Sequence, residues 1–378
     1  MKNYIKKIDN ISKTENFEEL FNIAKEKKYL KYINKFAINT LNIKKLKNFL
    51  IACVEEENLL TRLNSKPYIF IIDTTNACNL GCPLCPTGIG KSQRKKGILK
   101  FENFKKIIDE IKDTCIEIHL YNWGEPTLNK FLIEMLKYAK SVGIWSKISS
   151  NLSLEYKENY LSELLNSGLS LLHVDVDGLG QEVYSKYRKK GNFNTVVKNL
   201  KTIKKIKEES NLKEPIIELA MLAMRQNEHQ HQDFFKFAKE LNADESKIDK
   251  IQYNPNTSKK WLPKNKDLIY QTYEDGNAPS NSANDNGQKP CHWPWSGIVI
   301  NWDGGVNSCC IIDDPKSDFG NANKQTINDI WNNQEYVSAR SEFGDKKEIK
   351  LKTICNICKN QTHSKRLNRV ASSFAIKI

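Results

Sequence analysis

NACNLGCPLCPT, residues 76–87, follows an apolar run, Tyr68 to Ile72, that predicts a strand ending at Asp73. Cys78, Cys82 and Cys85 stand in C-x3-C-x2-C spacing. Three thiolates so close in one tight loop can hold three corners of a four-iron cluster, because soft sulfur ligands are what iron-sulfur chemistry selects. The fourth iron then has no protein ligand and is open to a small molecule. Taken alone, the same cysteines also suit a zinc loop whose last ligand lies elsewhere, or part of a disulfide set in an exported protein.

CNLGCPLC resembles the cluster motif of the radical S-adenosylmethionine (radical SAM) superfamily, although the position before the last cysteine, often aromatic there, is Leu84. The resemblance implies an α/β fold, a partial (β/α)6 barrel with the cysteine loop after its first strand. It also implies that the open iron binds S-adenosylmethionine, whose reductive cleavage yields a 5'-deoxyadenosyl radical that abstracts hydrogen from substrate.

Composition fits a soluble globular protein. A chain of 378 residues, 39% hydrophobic and 28% charged, can bury a full core. No apolar stretch reaches membrane-spanning length and the first residues lack a secretory signal, so the protein is expected in the cytoplasm, with no membrane partner. In a reducing compartment its ten cysteines are ligands before they are disulfides. The formal charge of +14 is spread among interspersed lysines and glutamates, with no nucleic-acid-binding motif, so nucleic acid is not an expected partner.

Around the cysteine loop the chain divides into a helical N-terminal extension (1–66), the barrel (67–255), a linker rich in Pro, Gly, Asn and Ser (256–290), a cysteine-bearing segment (291–363) and a tail (364–378). The extension is expected to pack on the outside of the barrel, with Cys53 a buried thiol. Candidate strands are 68–72, 116–121, 144–149, 169–175, 216–223 and 249–253. Helical patterns fill 101–112, 129–141, 155–167, 193–209 and 231–241. Parallel strands carry their chemistry on the loops at their C-terminal ends.

The second strand ends in Gly124, Glu125 and Pro126, which match the superfamily's GEP-type motif and by resemblance meet the cofactor's amino group. The third ends in Ser149, Ser150 and Asn151, similar to its ribose-contacting segment; Ser149 and Asn151 are the expected contacts, and the same trio also suits a helix cap. The fourth ends in Asp175 and Asp177, with Asp177 expected in the substrate cavity and His173 on the opposite face. Tyr184 to Phe193 resembles a Y-x2-Y-R-x2-G-x-F signature of members with a C-terminal cluster domain; its Arg188 can reach a carboxylate or phosphate, or lie in a solvated turn. After the fifth strand, Arg225 is the expected contact for a cofactor carboxylate or substrate anion. Glu228, His229 and His231 are expected in solvent.

Cys291, Cys309, Cys310, Cys355 and Cys358 form a second set around a strand, Asp303-Gly304-Gly305 turn, strand pattern and a short helix at Thr326 to Trp331. This small hairpin-helix auxiliary-cluster domain resembles the twitch form of SPASM. The resemblance implies a second [4Fe-4S] cluster on Cys291, Cys309, Cys355 and Cys358, the G-x4-C spacing from Gly304 favouring Cys309 over Cys310. Four thiolates in this spacing also suit zinc.

The first functional expectation is an oxidoreductase taking hydrogen from a small polar substrate (sugar, cyclitol or nucleotide-linked alcohol) and passing an electron to the auxiliary cluster. The cofactors are S-adenosylmethionine and two [4Fe-4S] clusters. The partners are a small polar or anionic substrate, a peptide as the alternative, and an electron donor such as flavodoxin or ferredoxin. The alternatives are a peptide modifier performing epimerisation, thioether or carbon-carbon bond formation, and a zinc-binding interaction protein. Residues 1–66 lack a hairpin wing for a leader peptide, and Cys115 is poorly placed as a hydrogen donor.

Overall fold

The structure, a computed structural model, describes residues 2–253, 259–271, 291–343 and 351–357. Strands β1 (Ile69–Ile72), β2 (Glu117–His119), β3 (Trp145–Ser150), β4 (Leu171–Asp175), β5 (Ile216–Leu222) and β6 (Glu245–Asp249) are parallel neighbours in chain order. Helices α4 (Phe101–Ile111), α5 (Leu132–Ser141), α6 (Glu158–Leu165), α7 (Gln181–Tyr187), α8 (Phe193–Glu209) and α9 (His231–Glu240) return the chain between them. The expected partial (β/α)6 barrel is present.

Strand alternation splits each strand between two environments. On β4, Leu172 and Val174 join the main core against the helices, while His173 and Asp175 face the lumen. His173 therefore does not lie opposite the aspartates: residues 173, 175 and 177 are two apart and share one side. The sixth strand also differs from the expectation of 249–253. Glu245, Lys247 and Asp249 alternate into the lumen, so β6 reads as polar, and the more apolar Ile251–Tyr253 forms β7, paired with β8 (Ile269–Gln271) in a separate two-stranded sheet.

At the end where the strands begin, α1 (Lys2–Lys13), α2 (Phe17–Glu26) and α3 (Ile43–Glu57) build a second core with Tyr68, Ile69, Ile116, Trp145 and Leu171. The extension thus closes the N-terminal mouth of the barrel, not only its outside. Asn34 N–H donates to the lumen carboxylate of Glu117 at 2.5 Å, and buried Lys45 donates to Gly143 O at 2.5 Å. Asn42 caps α3 through Lys45 N–H. Cys53 is buried in this core.

The auxiliary segment contributes α10 (Trp293–Ser296), β9 (Gly297–Ile300), β10 (Gly305–Asn307), β11 (Gly320–Asn321), α11 (Ile327–Trp331), α12 (Gln334–Ser341) and α13 (Ile354–Ile357). The expected hairpin is β9 and β10. It does not stand apart, because β9 pairs parallel to β1 over four residues and extends the barrel sheet to nine strands. Among the described residues no helix is long and apolar enough to cross a membrane.

Candidate active site

The cysteine loop is fixed from both sides. Asn76 at its start donates through Nδ2 to Lys95 O at 2.9 Å and accepts Gly97 N–H at 3.0 Å, tying the two arms of the excursion together. The GEP loop lies directly on it: Glu125 N–H donates to Ala77 O at 2.8 Å, and a Cβ on Gly124 would stand 2.0 Å from Thr75 O. Only glycine permits that approach. Asn151 donates to Asn79 Oδ1 at 2.9 Å and lies 3.9 Å from Cys78 Sγ, while Leu80 N–H points at the same sulfur from 3.4 Å.

The Glu125 carboxylate is fully engaged. It accepts Thr127 Oγ1 and Ser150 Oγ, both at 2.8 Å, Asn151 N–H at 2.8 Å and Thr127 N–H at 3.3 Å. Burial pushes its pKa up against those donors. The side chain therefore locks the end of β3 to the GEP loop, and the backbone carbonyls of the loop are what remain for an ammonium group. Gly124, Glu125 and Asn151 are thus brought against the cysteine loop, while Ser149 Oγ turns to Asp175.

Inside the barrel lies a continuous ionic network. Glu218 Oε1 receives His173 Nδ1 at 2.5 Å and Lys147 Nζ at 3.2 Å, with Lys247 Nζ at 3.4 Å. His173 Nε2 meets Asp175 at 3.2 Å; Ser149 Oγ donates to Asp175 at 3.2 Å. Arg188 Nε donates to Asp177 at 2.5 Å, and its Nη2 lies 3.5 Å from Asp175. Burial alone would raise both acids, but Lys147 and His173 hold Glu218 well below the carboxylate range and His173 and Arg188 do the same for Asp175. Burial wins at Asp177, whose pKa is raised despite Arg188.

Arg225 is not part of this network. It is exposed, and its Nε donates to Leu262 O at 2.8 Å. Arg188 is the arginine the fold turns inward. Glu228 accepts Lys264 and Asn265 N–H at 3.0 and 2.9 Å, using its carboxylate to hold residues 259–271. Lys147, Lys247 and Asp73 were not singled out from sequence; the polar alternation of Lys147 with Ser149 and of Glu245, Lys247 and Asp249 was the available signal.

The donor set fits an iron-sulfur group. Cys78, Cys82 and Cys85 lie within mutual electrostatic range on one loop, packed with Leu80, Leu84, Tyr187 and Met224. Burial pushes the Cys82 thiol up to about 12 while Arg188 opposes it. Among the described residues no three His, Cys, Asp or Glu side chains converge on one point as a single ion needs. At the second site, Cys309 and Cys310 are hydrogen-bonded neighbours, Cys310 near Cys291 and Cys309 sharing the surroundings of Tyr336 with Cys355. Cys355 Sγ lies 3.6 Å from Ser308 Oγ. Both candidate positions therefore stand beside the set, no disulfide links the described cysteines, and Cys358 lies outside the described residues. Cys115 is fully buried against the helices, away from the lumen.

The family profile of the radical SAM superfamily matches residues 72–238, and that of an iron-sulfur cluster-binding domain, SPASM, matches residues 291–359. The chain carries a radical SAM domain followed by a SPASM domain. Among curated relatives, the PqqA peptide cyclase of Bradyrhizobium diazoefficiens is 30% identical over 209 residues, 54% of this chain and 51% of the relative. The 7,8-dihydro-6-hydroxymethylpterin dimethyltransferase of Methanocaldococcus jannaschii is 28% identical over 48% of this chain and 35% of the relative. The chain thus matches about half or less of these relatives' lengths. Among solved structures, SuiB of Streptococcus suis superposes with a TM-score of 0.60 over 78% of this chain and 72% of SuiB at 15% identity, a likeness of fold.

Proposed function

We propose that this radical SAM protein modifies a peptide, forming a carbon-carbon or thioether bond or inverting a stereocentre. The observation that carries the reading is the 30% identity to a peptide cyclase. The SPASM domain joined to the barrel sheet through β1 and β9 supports it. When bound at Cys78, Cys82 and Cys85, the cluster and S-adenosylmethionine supply a one-electron cleavage whose carbon radical removes a hydrogen atom from substrate.

The protein's own groups bind and orient. Carbonyls of the Asn122–Glu125 loop suit the cofactor ammonium, Ser149 and Asn151 suit the ribose, and the buried Arg188–Asp177 pair closes the lumen side. Cys291, Cys309 or Cys310, Cys355 and Cys358 are the ligands we assign to a second four-iron cluster. The lumen network, fixed by pairing before substrate arrives, positions the reacting residue and excludes stray hydrogen donors.

A second reading, oxidation of a small polar or anionic alcohol, is favoured by how deeply Lys147 and Lys247 are buried in the lumen, side chains 4% and 10% exposed. Anaerobic co-expression with short peptides encoded beside the gene, followed by mass spectrometry, separates the two. Loss of two hydrogens from a peptide or, for inversion, uptake of one solvent deuterium when the reaction is run in D2O, either one abolished by Cys78→Ala, supports the proposal. Unchanged peptides together with oxidation of a sugar, cyclitol or nucleotide-linked alcohol would overturn it in favour of the second reading.

A further inference from the structure

Two turns meet on the outer side of the cysteine loop. In the first, residues 188–191, Arg188 goes inward to Asp177 while Lys189 and Lys190 are exposed. Lys189 O accepts Gly81 N–H at 2.9 Å, and Lys190 holds a φ of +67°, so the turn is fixed to the loop. A Cβ on Gly81 would lie 3.5 Å from Lys189 Cβ, 3.7 Å from Lys190 Cε and 3.6 Å from Gly88 O.

The second turn, residues 86–91, is closed by Ile89 N–H to Cys85 O at 3.0 Å and Lys91 N–H to Pro86 O at 2.8 Å. A Cβ on Gly88 would stand 2.6 Å from both the N and O of Cys82, so this turn packs directly on the Cys82 backbone and only glycine permits the approach. Beside it Ile89 is 45% exposed, one of few large apolar side chains so exposed among the described residues. Lys91, Lys189 and Lys190 are exposed and none is ion-paired among them. An apolar knob flanked by cations without an ion-pair partner among the described residues thus sits on the two turns packed against the cysteine loop.

We propose that this face, Ile89 with Lys91, Lys189 and Lys190, docks an acidic one-electron carrier protein. The inference rests on the radical SAM reading of the cysteine loop, which needs one external electron per cleavage. In the step itself the carrier loses one electron and the Cys78, Cys82 and Cys85 site takes it up; no bond forms or breaks. Charge complementarity selects an acidic partner and speeds encounter. An acidic substrate peptide is disfavoured as the occupant, because the face lies outside the loop whereas Arg188 and Asp177 point into the lumen.

The test compares the wild type with Lys189→Glu/Lys190→Glu, each reconstituted anaerobically, using reduced flavodoxin or dithionite to drive S-adenosylmethionine cleavage and titrating oxidised flavodoxin onto the protein at several salt concentrations. The double variant is expected to lose roughly tenfold or more in flavodoxin affinity and flavodoxin-driven rate at low salt, with a flatter salt dependence. Iron content and the dithionite-driven rate should hold. Unchanged flavodoxin binding and rate would overturn the proposal, as would a wild type that cleaves with dithionite yet neither binds nor uses flavodoxin. No cleavage with dithionite would instead sink the catalytic reading, and the binding titration still decides the docking face. If the charge reversal lowers iron content, Lys189→Gln/Lys190→Gln takes its place under the same criteria.

Discussion

Asp73, at the end of β1, is buried to 1% exposure with Oδ1 accepting Trp123 N–H at 3.3 Å, under the loop that presents Gly124. Burial outweighs the backbone donors of residues 122–124 and raises its pKa from 3.8 to about 7. The unfolded chain gives up this proton near 3.8, so the group's contribution to stability is full below that pH and is lost as pH rises through about 7. Asp73→Asn carries no such proton. Its melting temperature relative to wild type is expected to rise between pH 6 and pH 8; a difference that does not change with pH would contradict the assignment. Arg188 and Arg225 give a second contrast. Arg188→Met leaves the fully buried Asp177 without its cation, while Asp175 keeps His173, and is expected to cost about 3 kcal/mol in denaturant unfolding, whereas exposed Arg225→Ala should stay within about 0.5 kcal/mol. At this scale the cysteine spacing was legible because ligands are read from residue type and interval alone. Which arginine turns inward was not, since the bond from Arg188 to Asp177 and that from Arg225 to Leu262 O join residues that no local pattern relates.

The element that joins the two cysteine sites is the far arm of the cysteine excursion, residues 91–97. Arg94, its side chain 1% exposed, makes hydrogen bonds of 2.9 and 2.8 Å to both oxygens of Asp303 in the β9–β10 turn and also pairs with Asp318. Gln93 N–H donates to Asp313 at 2.7 Å and Trp302 Nε1 to Lys95 O at 3.0 Å. Removing a partner from a buried pair is costly, so Arg94→Ala is expected to destabilise by about 3 kcal/mol and to speed amide hydrogen exchange across residues 86–97 before it affects the lumen strands. Equal protection in variant and wild type would show that the clamp does not hold the arm. The hairpin itself was legible from its Asp-Gly-Gly turn. Its pairing with β1 was not, because a parallel contact between strands more than two hundred residues apart leaves no local pattern. The sixth strand was misplaced for a related reason: hydropathy favours Ile251–Tyr253, while the lumen network recruits the polar Glu245–Asp249.

Across the whole molecule, the N-terminal helices, barrel and SPASM segment share burial surfaces and are expected to fold together. The core formed by α1 to α3 includes Ile69, Ile71, Trp293 and Val299, drawn from the barrel and the auxiliary segment alike. Alternating strands and helices announced the barrel, whereas the closure of its N-terminal mouth depends on side chains such as Asn34 and Lys45 whose partners are distant in sequence. The two cysteine sites, one after β1 and one after β10, border a single sheet, and each is assigned a four-iron cluster. Iron and sulfide content with electron paramagnetic resonance on anaerobically purified protein, before and after S-adenosylmethionine is added, tests this assignment most directly. About eight irons per chain, with the signal of one cluster perturbed by S-adenosylmethionine and the other untouched, is the predicted result. Iron at one site with zinc at the other, or no response to S-adenosylmethionine, would contradict it.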